Sequence, residues 1–173
     1  MKRVLYVTAV LLLLGVQCKL TEVRAQSAAA PLAMKASAIQ VVMIQSDEIK
    51  LPAEFQVSLY ENLIEQLKKQ GGFQHVYRDG DHAADAETDL VVLHSTVRGF
   101  KKGSEMARNV TTVAGKTSID IHCQFNDKTG KNILEKDLNG KVRFFGGNLR
   151  ATLDFAKKAA KMAHDNFVAR PTT

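Results

Sequence analysis

The chain has 173 residues, with 24 Lys and Arg against 18 Asp and Glu, a net charge of +6 and a pI near 9.4. Half of that excess sits in residues 1–25, which hold Lys2, Arg3, Lys19 and Arg24 against Glu22; the remaining 20 to 17 balance, net +3, is ordinary for a solvated surface, and no basic stripe interleaved with aromatics argues for nucleic acid. Cysteines occur only at Cys18 and Cys123, which excludes a disulfide framework and leaves the fold to rest on its hydrophobic core.

Residues 1–25 read as an export signal. Lys2 and Arg3 precede an apolar run at 4–16, within the roughly 7–15 residues of a signal core and short of the ~20 that span a bilayer. Val23 and Ala25 suit cleavage after Ala25. Cys18 carries the alternative, a diacylated lipoprotein, although Gly15 and Gln17 stand where such a motif wants Leu and a small residue. The expected location is therefore periplasmic or secreted, with an outer-membrane lipoprotein as the alternative. Membrane association is expected only if Cys18 is lipidated or the signal stays uncleaved.

Residues 26–37 are small and unpatterned and read as a tether before one domain at 38–170. The β-branched run at 38–45 predicts a first strand. Pro52 and Glu54 suit the first turn of a helix; Phe55, Leu59, Leu63 and Leu67, with Tyr60 and Ile64, give it an apolar stripe, and Gly71-Gly72 ends it. A short strand at 73–77, a charged loop at 78–88 and a strong strand at 89–97 follow. Residues 99–112 read as a long polar connection. From about 113 to 125 the pattern alternates, with Thr117, Ile119, Ile121, Cys123 and Phe125 on one side and Ser118, Asp120, His122 and Gln124 on the other, which predicts a strand with one wet face. Turn chemistry at 126–130 predicts a hairpin whose second arm is 131–142. A last helix is expected at 149–168, with Leu149, Leu153, Ala156, Ala160, Ala163 and Phe167 on its buried face. The fold class is thus α+β: a two-layer sandwich in the order β-α-β-β-β-β-α, a mixed, mostly antiparallel sheet with two helices on one face. Leu59, Leu63 and Leu67 should meet Leu153, Ala156 and Ala160.

Several short motifs, in order, resemble a bacterial domain of unknown function, the family numbered 4410. They are Leu51-Pro52-Ala53-Glu54-Phe55, then Gly71-Gly72-Phe73 with Val76, then Gly99-Phe100 followed by Gly103-Ser104, Arg108 and Gly115. Asp127-Lys128-Thr129-Gly130 and Gly146-Gly147-Asn148-Leu149 complete the set. The resemblance covers about residues 38–168. It implies a small exported α/β domain and no established activity. More loosely, the element order is similar to small envelope accessory domains, such as activators of peptidoglycan synthases and periplasmic parts of outer-membrane transport systems, an analogy of fold alone.

The chemistry-bearing residues point away from catalysis. Gly115-Lys116-Thr117 looks like the end of a phosphate-binding loop, but Val110 stands where a glycine is needed and a strand follows. His75, His82, His94, His122 and His164 lack metal-ligand spacing, and Asp79, Asp81, His82 and Asp85 read as a solvated loop. Ser95, Ser104 and Ser118 lie in no nucleophile elbow, and His94 and His122 read as a solvated cross-strand pair. Cys123 reads as a small core residue. No enzyme activity, cofactor or metal is expected. The leading function is a non-catalytic periplasmic accessory or interaction domain with an envelope protein partner. The alternative is a module for a small ligand, an anionic polymer or a lipid headgroup. Its candidate binding residues are Lys101, Lys102 and Arg108 in the connection 100–108.

Overall fold

In a computed structural model of the chain, residues 35–46, 48–104, 106–107, 115–142 and 147–168 are described. The expected signal at 1–25 and most of the tether at 26–37 lie outside them. By Ala36 the chain already belongs to the fold: Ala36 is buried, its N–H bonds to Phe167 O at 3.0 Å, and Ser37 O accepts from Gln74 N–H at 2.7 Å.

The middle of the sheet is the long strand β3 (Leu90–Lys101). On one side it pairs in parallel with β1 (Ala38–Val41), which pairs in parallel with β2 (His75–Arg78). On the other it pairs antiparallel with β4 (Thr117–Asp127), which pairs antiparallel with β5 (Asn132–Val142). The order is β2-β1-β3-β4-β5, five strands in a mixed sheet. Helices α1 (Ala53–Gln70) and α2 (Arg150–Phe167) pack side by side on one face. The expected order and class are those observed.

Chain direction explains the layers. The connection from β1 to β2 moves outward, and the one from β2 to β3 moves back past β1. Right-handed crossovers in opposite directions use opposite faces of a sheet. Accordingly α1 lies on the core face, while the 79–89 segment crosses the other face and buries Ala84 with Ala38 and Leu90. A single 3-10 turn, His82–Ala86, interrupts the expected loop and is capped by Asp81. It is fastened by Tyr77 Oη, which donates to Glu87 Oε1 at 2.6 Å, and by Lys128 Nζ, which donates to Asp85 O and Glu87 O at 2.8 and 2.7 Å. The Glu87 carboxylate holds the Tyr77 phenol up at about 12.

The alternation of β4 sets its two faces: residues 117, 119, 121, 123 and 125 are buried, and the residues between them are half-buried or exposed. Some strand boundaries and one helix face differ from the sequence expectation. The first strand stops at Val41 because Met43 turns out, 54% exposed, with its N–H bound to Asp79 Oδ2; the chain rejoins β3 at Gln45, opposite Thr96. The second strand starts at His75 rather than residue 73. The third continues past residue 97 to Lys101, so the expected connection begins later. In α2 the buried face is rotated: Leu149 is 40% exposed and Leu153 half-buried, while Ala151, Phe155 and Ala159 are fully buried beside Ala156 and Ala160.

The rotation follows from Gly140. A Cβ built there would stand 2.0 Å from Ala151 O and 2.9 Å from Phe155 Cβ, so only glycine lets α2 start this close to β5. Phe155 then fills the core above the strand. Thr152, equally buried, is satisfied by Ser58 and Asn62 of α1 at 2.8 Å each and by Leu149 O at 2.6 Å. Gly140→Ala is expected to cost about 2–3 kcal/mol by overpacking. Urea unfolding should show a lower midpoint at unchanged slope.

Candidate functional site

The register of β3 contains one irregularity. Up to Val97 its odd-numbered residues face the core; at Arg98 the pairing with β4 shifts by one, between Val97 and Gly99. Past that bulge the parity is reversed. Phe100 returns to the core and meets Phe55 edge-on, ring centroids 4.8 Å apart. Gly99 faces Asp120 on the open side, and Lys101 is exposed opposite Ser118. Ser118 in turn pairs with Lys141 of β5. One cross-strand row on the open face therefore reads Lys101, Ser118, Lys141, with the lysines about 10 Å apart at backbone level.

Lys116 joins them from the residue before β4. Lys101, Lys116, Thr117, Ser118 and Lys141 line an open hollow of about 230 Å³. Among the described residues, none of these three ammonium groups has a carboxylate within ion-pair distance. The carboxylate nearest in register, Asp120, lies one row away beside Gly99. Asp154, beside β5, is occupied: it accepts the Lys141 backbone N–H at 2.9 Å and the Lys158 ammonium at 2.8 Å. A second hollow, of about 240 Å³ at the other end of the sheet, mixes signs, with Lys35 and Lys128 against Asp89 and Asp127.

The floor of the lysine hollow is rigid. Thr117 is fully buried; its Oγ1 accepts from Gly103 N–H at 3.0 Å and donates to Asn148 Oδ1 at 2.6 Å. A Cβ on Gly103 would stand 2.0 Å from Gly115 O, so the strands' exit and entry are pinched together there. Both helices also begin at this end, α1 with Phe55 on Phe100 and α2 with Ala151 on Gly140.

Of the three candidate residues, Lys101 lines the hollow. Lys102 is exposed beyond the end of β3 and does not line it. Arg108 lies outside the described residues. Sequence reasoning missed Lys116, Ser118 and Lys141. Counting equally outward from the turn at Asp127–Gly130 sets Asn139 opposite Ser118, two residues short of the observed partner Lys141, so it gives the face and not the row.

The remaining polar groups have plainer roles. His94 pairs with Gln124 and His122 with Thr96, so the two histidines are diagonal neighbours and not a facing pair. His122 Nδ1 instead lies 2.7 Å from Asp137 Oδ1 of β5. No cluster of His, Cys, Asp and Glu suited to a metal ion occurs among the described residues. No helix among them is long and apolar enough to cross a membrane.

No family model matches the chain, and no curated protein matches it. Solved structures do. A PelC dodecamer from Paraburkholderia phytofirmans is similar at 13% identity, with a TM-score of 0.54 over 78% of this chain and 90% of that one. A single-substitution variant of the same protein is similar at 14% identity, with a TM-score of 0.54 over 73% and 86%. A hypothetical protein from Chlamydia trachomatis is similar at 9% identity, with a TM-score of 0.47 over 75% and 97%. At such identities the PelC likeness establishes the fold alone.

Cys123 tests the integrity of the sheet beneath the site. Burial pushes its thiol up to about 12 from 9.0, with the Ser95 hydroxyl opposite pulling weakly the other way. Because the folded value lies above the ordinary one, this contribution to stability is full below the ordinary value and is lost as pH rises toward about 12. At about pH 8 the native thiol carries about a thousandfold less thiolate than a free one. Alkylation followed by peptide mass spectrometry should find Cys123 unmodified in native protein and modified in urea.

Proposed function

We propose that the chain is an exported, non-catalytic domain of the bacterial cell envelope that engages an anionic partner at the basic end of its sheet. The observation that carries this reading is the convergence of Lys101, Lys116 and Lys141 on one hollow. Three separate positions in the chain, the last residue of β3, the entry to β4 and the end of β5, deliver like charges to one place. Among the described residues no carboxylate pairs with these ammonium groups; like charges so gathered cost free energy through self-repulsion, and a bound anion relieves that cost.

A binding role suits the site better than a catalytic one. Ser118 stands among the lysines, but a lysine activates a hydroxyl only when it is desolvated enough to lose its proton. Lys101, Lys116 and Lys141 are all exposed to water and not desolvated. The export-like segment at 1–25 and the motifs that resemble the family numbered 4410 support an envelope location. Lys102 and Arg108, in the connection beyond β3, extend the same basic end in the sequence.

The test is binding of the purified protein to isolated envelope material. The triple variant Lys101→Glu, Lys116→Glu and Lys141→Glu is expected to bind at least about tenfold more weakly, and wild-type binding should weaken with salt as the Debye length falls below about 10 Å. Undiminished binding by the triple variant would overturn the reading.

A further inference from the structure

We propose that the hollow between Lys101, Lys116 and Lys141 is a site for a phosphate-type oxyanion. This rests on the reading of the basic end as the ligand-facing end, and names the chemistry of what it takes.

Geometry favours phosphate over carboxylate. Lys101 and Lys141 stand at the two ends of one cross-strand row, with the Ser118 hydroxyl between them and Lys116 to the side. An anion in the hollow is therefore approached from three directions. Each ammonium offers three N–H donors, and Ser118 adds one hydroxyl. A carboxylate has two oxygens and suits the planar fork of an arginine. A phosphate has more oxygens spread in three dimensions and suits several point charges. None of the described residues that line the hollow is an arginine.

Size and aspect narrow the ligand further. The hollow, about 230 Å³, has room for a phosphate-sized group. It is open on one side, so the phosphate can be pendant on a larger carrier that stays outside. Its floor is held by the contacts of Thr117 with Gly103 and Asn148. The chain enters the domain at Ala36, beside the C-terminus of α2, which is the end opposite the hollow.

The experiment is an amide-shift titration of the full-length protein by NMR with inorganic phosphate, and with acetate as the carboxylate control. Phosphate should shift Lys116, Ser118 and Lys141 saturably, and acetate should do so much more weakly. Lys101→Gln or Lys141→Gln should weaken phosphate binding about threefold each, and the two together about tenfold, while Lys68→Gln leaves it unchanged. A second arm uses phosphatidylglycerol vesicles. Vesicle binding that phosphate competes away identifies a lipid headgroup as the source; phosphate binding without vesicle binding identifies a soluble phosphate ester; both uphold the site. The proposal is overturned if phosphate moves none of these amides, if acetate matches it, or if Lys68→Gln weakens binding as much as Lys141→Gln. If envelope binding depends on the lysines yet phosphate fails, the ligand chemistry falls and the anion-binding reading stands.

Discussion

The bulge at Arg98 is the constraint on which the basic end of this domain depends. A strand that faces the core with Val91, Leu93, Ser95 and Val97 would, unbroken, send Gly99 and Lys101 inward and Phe100 into water. One extra residue reverses that assignment. Phe100 then closes the core against the first turn of α1, and Lys101 reaches the open face. The same irregularity that completes the hydrophobic layer thus places the first charge of the hollow.

The other charges arrive by equally local means. Gly140 faces the core and lets α2 approach; by alternation its neighbour Lys141 faces out. Thr117 faces the core and fastens the strand entry; its neighbours Lys116 and Ser118 border the hollow. Each position that matters for the site therefore sits beside one that matters for packing, so the arrangement is as rigid as the core beneath it.

Much of the fold was legible because it follows from one-dimensional periodicity. The alternation from Thr117 to Phe125, the stripe Phe55, Leu59, Leu63 and Leu67, and the turn at Asp127–Gly130 each state their structure outright. The tail of β3 was not legible, because the bulge breaks the alternation where a reader looks for it and Gly99 then resembles a turn. The face of α2 was misplaced toward Leu149 and Leu153 because the absence of a side chain at Gly140, a tertiary fact, decides which way the helix rolls. Of the site, Lys101 was found as part of a basic connection. Its relation to Lys116 and Lys141 is a cross-strand property that no linear window contains.

The register beyond Arg98 is what most directly decides this account. Interstrand NOE contacts in the labelled full-length protein will report it. The bulged register requires contacts between Lys101 and Ser118 and between Phe100 and Ile119, together with contacts between the Phe100 and Phe55 rings. Contacts of Lys101 with Thr117 and of Phe100 with Ser118 would mean an unbroken strand. They would turn Lys101 into the core and remove the hollow.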